Sequence, residues 1–143
     1  MNVRRKARET ALQVLYRMDM AEDAASEDYG GEMDGLAEGT EARLYCEELI
    51  KGVVRNRAEV DCLIEENSDN WTVARMAIVD RNILRVAVYE LKYSDVPYKA
   101  VIDEAVELAK KFGSAESGAF INGIVDNARK AIEREGPARS KLV

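Results

Sequence analysis

Apolar positions recur every three to four residues along most of this chain, the period of helices that bury one face. Val3, Ala7, Thr10, Ala11, Val14 and Met18 form the first such stripe. A helical wheel built on it leaves Arg5, Glu9, Gln13 and Tyr16 on the opposite, wet side, with Arg4 and Arg8 on one flank and Lys6 and Arg17 on the other. Thr40 is a fair N-cap for a second helix, whose Ala42, Tyr45, Cys46, Leu49, Ile50, Val53 and Val54 keep the cleanest stripe in the sequence. A short helix around Ala58 to Glu66 follows, carrying Cys62 and Leu63. Ser68-Asp69-Asn70 then reads as a turn and capping cluster from which Trp71 enters the next helical region.

Ile78, Val79, Ile83, Leu84, Val86, Ala87, Val88 and Leu91 are dense enough to predict a central helix buried on most sides, stopped at Asp95-Val96-Pro97 because the residue before proline avoids the helical region. Val101, Ala105, Leu108 and Phe112 predict a further helix ending at Gly113. Ile121, Ile124, Val125, Ala128 and Ile132 predict a last one, closed by Gly136-Pro137 with a loose tail after it. Residues 21–39 hold Gly30, Gly31, Gly35 and Gly39 among many acids and read as a long connector with room for a helical turn. Alternating strand segments bounded by hairpin turns are absent, so the fold class is all-α.

Composition narrows the chemistry. The chain has no histidine, which removes Ser-His-Asp and Cys-His sites, HExxH zinc sites and imidazole base catalysis together. Cys46 and Cys62 stand alone, without a CxxC pair, so neither a metal site nor a disulfide is indicated, and both read as small apolar residues in a reducing cytoplasm. The sequence lacks a phosphate-binding glycine loop, a targeting leader and a run of about 18 apolar residues, so a soluble cytoplasmic protein without cofactors or a membrane anchor is expected.

The net charge of -6 argues at first against nucleic acid. Its distribution argues otherwise: residues 1–18 carry +4, residues 19–48 carry -10, and residues 49–143 balance fifteen charges of each sign. Arg4, Arg5, Lys6 and Arg8 oppose the dipole of the helix they begin, so something other than helix stability explains them. Phosphates are natural partners for such a cluster, and a solvated basic end without a ligand is the alternative. Tyr16 offers a ring for an unpaired base or a protein contact, or is a ring at the rim of the core. Phe112 and Phe120 flank the junction of the last two helices and could offer a platform for bases. Gly118 and Gly123 nearby are best explained by helix packing. Asp103, Glu104 and Glu107, like Glu65 and Glu66, are most simply solvated faces rather than acid-base pairs.

Four segments, in order, resemble the NusB family: Arg4-Arg5-Lys6-Ala7-Arg8-Glu9 with Ala11 to Tyr16, Asp80-Arg81-Asn82 through Leu91, Asp95-Val96-Pro97-Tyr98-Lys99 through Lys110, and Phe112-Gly113 through Phe120-Ile121-Asn122-Gly123 to Asp126. The likeness leaves only the acidic connector and the tail unmatched. It implies a bundle of about seven helices in residues 1–136, divided near residue 70 into subdomains of about 1–70 and 71–136, with 137–143 a flexible tail. It implies a protein that is not an enzyme and that pairs with ribosomal protein NusE. That pair binds single-stranded boxA RNA in nascent, especially ribosomal, transcripts and loads it onto elongating RNA polymerase with NusA and NusG. By position, Arg4, Arg5, Lys6 and Arg8 would meet RNA phosphates, and Phe112, Glu116 and Phe120 would lie at the bases. Tyr16 and Asp80 would face NusE. Glu116 departs from the family pattern, where a shorter aspartate can stand. Family members occur as monomers and as homodimers. The same fold fronts ribosomal RNA methyltransferases, for which a chain ending at Val143 leaves no room, and a helical protein-binding adaptor without specific RNA recognition is the reading from another class.

Overall fold

A computed structural model describes residues 3–21 and 30–135; the Gly136-Pro137 stop, the 137–143 tail and positions 22–29 of the connector lie outside them. Six α-helices follow one another: α1 Val3–Met20, α2 Glu41–Arg55, α3 Arg57–Glu66, α4 Ile78–Tyr93, α5 Tyr98–Phe112 and α6 Ser117–Glu135. Two 3-10 turns, Gly30–Gly35 and Val73–Arg75, sit in the connections, and the described residues form no strand. The expected all-α class holds, with eight helical pieces of which six are α.

Local chemistry explains the boundaries. The Thr40 side chain accepts from the Arg43 backbone N–H and so caps α2, which buries Tyr45, Cys46, Leu49, Ile50 and Val53 along its predicted stripe. Ser94 ends α4 just ahead of the proline segment, and Gly113 ends α5. A Cβ on Gly113 would lie 2.6 Å from Ser117 Oγ and 2.8 Å from the Ala109 carbonyl, so the close approach of the next helix requires glycine there. Trp71 departs from expectation: it lies in extended chain before the second 3-10 turn, after Asp69 and Asn70 take left-handed φ of 49° and 73°. Buried Ser68 holds this turn by donating to the carbonyls of Glu65 and Trp71.

Two apolar clusters form the core. Ala7, Ala11, Val14 and Leu15 of α1 pack with Cys46, Leu49, Ile50 and Val53 of α2, and Met33 and Leu36 of the connector close that cluster. The second joins α3, α4, α5 and α6 through Val60, Ile64, Ile83, Leu84, Val88, Leu108, Ile121 and Val125. Helix α4 serves both, giving Val86 and Tyr89 to the first and Ile83, Leu84, Ala87 and Val88 to the second. Every residue from Asn82 to Glu90 is buried, which fits a central helix. Tyr89 passes directly over Gly52, where a Cβ would come within 2.2 Å of its ring. Cys46 is buried and its thiol pKa is pushed up to about 12 by desolvation, so it is inert packing. Cys62, expected to be apolar filling, is instead exposed beside Glu66.

Candidate nucleic-acid interface

Long side chains bridge the start of α1 to α5. Arg5 forks onto Glu104, Nε donating to Oε1 at 3.0 Å and Nη2 to Oε2 at 2.7 Å. One helical turn later, Lys111 Nζ donates to both oxygens of Glu9, at 3.0 and 3.1 Å. Lys111 also stands 5.4 Å from the centre of the Phe112 ring. Segments about a hundred positions apart in sequence are therefore joined, which places Arg5 on the same edge of the molecule as Phe112.

The four predicted cations have different fates. Lys6 is exposed and has no ion-pair partner among the described residues. Arg4 is half-buried with its guanidinium 4.5 Å from the centre of the Tyr45 ring, a cation-π contact. Arg5 is exposed although paired. Arg8 departs from its expected place on a wet flank, because only 3% of it is exposed. Its Nε and Nη2 fork onto Glu90, each at 2.9 Å, and the Tyr45 hydroxyl donates to the same carboxylate. Burial pulls the Arg8 guanidinium pKa down, but the bonds and charge of Glu90 outweigh it and the group is more firmly cationic than usual. Arg8 Nη1 also lies 3.7 Å from Glu104, so Arg4, Tyr45, Glu90, Arg8, Glu104 and Arg5 form a continuous chain from the core to the surface.

Glu104 differs from its expected solvated face. Its side chain is 12% exposed, and the Arg5 hydrogen bonds hold its carboxyl below the usual carboxylate range against the opposing effect of burial. Glu65 is exposed as expected and also accepts from the Val73 backbone N–H at 2.7 Å.

At the junction of α5 and α6, Phe112 and Phe120 are half-buried and pack on the second cluster, while Glu116 is exposed. A groove of about 540 Å³ runs between the two helices, lined by Val106, Lys110, Gly113, Ser114, Ala115, Gly118, Ala119 and Asn122. It shares Lys110 with a second groove of about 430 Å³ that includes Arg5, Glu9, Glu104, Glu107 and Lys111. Helix packing does not explain Gly123, because a Cβ there would meet nothing within 4 Å, and at Gly118 it would make only an ordinary 3.9 Å contact with Val106.

Tyr16 is 38% exposed on the second half of α1. Asp80 accepts from Ser117 Oγ at 2.7 Å, which itself accepts from the Ser114 backbone N–H, so Asp80 braces the α5–α6 junction from α4. Asp19, three residues beyond Tyr16, accepts from Arg81 at 2.7 and 2.8 Å, and this brings the end of α1 against the start of α4. Asn82 and Arg85 also donate to Asp19, and Arg85 forks onto Asp61 of α3. The resemblance segment Asp80-Arg81-Asn82 thus builds a clamp between helices. Trp71, which is not among the predicted site residues, is 50% exposed and meets Phe120 edge to face, with ring centres 6.0 Å apart. Its signal was composition, since it is the only tryptophan in the chain.

Comparisons with known proteins place the fold and the family. Residues 5–130 match the model of the NusB family. The transcription antitermination protein NusB of Anaeromyxobacter dehalogenans is 47% identical over 146 residues, covering 95% of this chain and 94% of its own length. Among solved structures, T. maritima NusB superposes with a TM-score of 0.80 at 31% identity, covering 98% of this chain and 97% of that one. A crystal structure of antitermination factors NusB and NusE in complex with double-stranded RNA gives a TM-score of 0.79 at 31% identity, over 92% and 98% of the two chains.

Proposed function

The chain belongs to the NusB family of transcription antitermination factors, which are not enzymes, and from that membership we propose that it is an RNA-loading adaptor for the transcription machinery. With NusE it binds the single-stranded boxA element of nascent transcripts, ribosomal ones above all, in the bacterial cytoplasm. It carries that RNA to elongating polymerase together with NusA and NusG. Arg4, Arg5 and Lys6 meet phosphates; Phe112, Glu116 and Phe120 meet bases; Tyr16 and Asp80 face NusE. Arg8 holds the others in place from below rather than touching RNA, because its fork is occupied by Glu90 in the core.

The observation that carries this reading is the bridging of α1 to α5 through Arg5–Glu104 and Glu9–Lys111, which sets Arg5, Lys110 and Lys111 along one groove, with Lys111 5.4 Å from the Phe112 ring centre and Lys110 shared with the groove between α5 and α6. Cations supply salt-dependent affinity that is blind to sequence, and rings with polar neighbours supply contacts to unpaired bases. Titration of boxA RNA and a scrambled strand of the same length against the complex with NusE tests it. BoxA binds more tightly than the scrambled strand; equal affinity would overturn the reading in favour of a protein-binding adaptor.

A further inference from the structure

We propose that Trp71 is a base-stacking residue, the outer member of an aromatic corner with Phe120 that takes one unpaired base of the bound RNA. This rests on the RNA reading above and adds to it a residue outside the segments that carry the family resemblance.

The turn before Trp71 presents the ring outward. Asp69 and Asn70 both sit in the left-handed region, and the buried Ser68 hydroxyl fixes the turn by bonding the carbonyls on either side of it. Half of Trp71 remains in water, and its indole N–H has no hydrogen-bond partner among the described residues. A tryptophan serving only the core would bury its ring and satisfy that donor. Here the ring meets that of Phe120, which packs on the second cluster, at an interplanar angle of 79°. Two rings at nearly a right angle leave a corner in which a base stacks on the face of one ring and meets the edge of the other.

The surroundings favour a nucleobase over a protein surface. Thr72, Ala74 and Arg75 beside Trp71 are exposed, as are Asn122, Gly123 and Asn127 on the helix that carries Phe120. None of the other large apolar residues exposed among the described ones belongs to these segments. A single exposed ring among amides, with a free N–H donor, suits an aromatic base with polar edges.

Because the chain has one tryptophan beside six tyrosines, emission excited selectively at the indole reports this position alone within the chain. Fluorescein-labelled single-stranded boxA RNA is titrated against the complex of the full chain with NusE while anisotropy follows binding, and unlabelled RNA is titrated while tryptophan emission is followed. Trp71 emission is quenched along the binding curve, Trp71→Ala weakens binding about tenfold, and Trp71→Phe retains most of the affinity. Binding without a change in the emission of this chain, and unaltered by Trp71→Ala, overturns the assignment and leaves the RNA reading standing. A Trp71 emission change complete on adding NusE alone overturns it in favour of a protein contact. Failure of the wild-type complex to bind either RNA overturns the underlying reading and this proposal with it. Thermal unfolding of both variants near the wild-type midpoint ties the loss to the ring's contact with RNA; a binding loss explained by unfolding overturns it.

Discussion

Arg5 and Arg8 stand three residues apart on α1, and each forks onto a glutamate from another helix. Their surroundings separate them. The side chains of Arg8 and Glu90 are 4% and 1% exposed, whereas those of Arg5 and Glu104 are 49% and 12% exposed. A buried pair has paid its desolvation and cannot lose a partner without leaving an isolated charge; an exposed pair exchanges its partner for water or for another anion at little cost. The same residue type at nearly the same place is therefore structural in one case and available to a ligand in the other. Burial decides which, and the four-residue basic cluster divides along that line.

The largest effect falls on the buried member. Arg8→Ala leaves Glu90 and the Tyr45 hydroxyl without their cation and lowers unfolding free energy by about 3–5 kcal/mol, read from the denaturant midpoint. Arg5→Ala shifts the same midpoint far less, because water replaces the lost partner of an exposed pair. Equal losses would erase the distinction between the two pairs.

The clamp at the other end of α1 extends the comparison to pH. Burial alone would raise the Asp19 pKa, but hydrogen bonds from Arg81 and Asn82 and the charge of Arg85 outweigh it and hold the carboxyl well below the usual aspartate range. The unfolded chain then takes up the proton first. The contribution of Asp19 is complete above the ordinary aspartate pKa of about 4 and is lost as pH falls below it toward the depressed folded value. Asp19→Asn lowers stability at pH 7 by roughly 2–3 kcal/mol and flattens the acid limb of the stability curve. An acid limb unchanged in this variant would move the pH dependence elsewhere.

Charge reversal of Arg5 and Lys6 together carries the comparison from stability to binding. RNA affinity falls by one to two orders of magnitude at low salt, and the slope of log affinity against log salt becomes shallower by about one to two. Helicity by circular dichroism stays at the wild-type level, because neither side chain is in the core. An unchanged slope would place the phosphate contacts elsewhere.

These contrasts also mark where the sequence was readable. The α2 stripe and its Thr40 cap, the central α4 and the proline stop are local in origin, and periodicity reports local patterns faithfully. Arg8 was misplaced because a helical wheel gives a direction but not a partner, and Glu90 lies 82 positions away. Met33 and Leu36 fill the first cluster from a six-residue 3-10 turn and the position just after it, too short to show a period among glycines and acids. At the candidate site the residue types Phe112, Gly113 and Phe120 were legible. The reason for Gly113 was not, since it depends on Ser117 approaching from the next helix. The extended stretch at Trp71, ahead of the next helical region, is hard to read because two consecutive left-handed residues leave only a faint trace, an Asp-Asn pair in a polar turn.

The smallest predicted effect tests the exposed pair from its acidic side. Glu104 occupies both nitrogens with which Arg5 would fork a phosphate, so RNA must displace a carboxylate before it gains that contact. Glu9 restrains Lys111 in the same way, and the groove they share holds Arg5, Lys110 and Lys111 against Glu9, Glu104 and Glu107, three charges of each sign. Such a balanced groove adds little net attraction for a polyanion at long range, and a phosphate there competes with a carboxylate for each cation. Glu104→Gln removes one competing charge and therefore tightens scrambled RNA by about threefold to tenfold while tightening boxA less, so that the ratio between the two narrows. Equal tightening of both strands would make Glu104 a simple electrostatic background. Weaker binding of both would make it a positioning residue that presents Arg5, with Arg8 and Glu90 beneath it as the support.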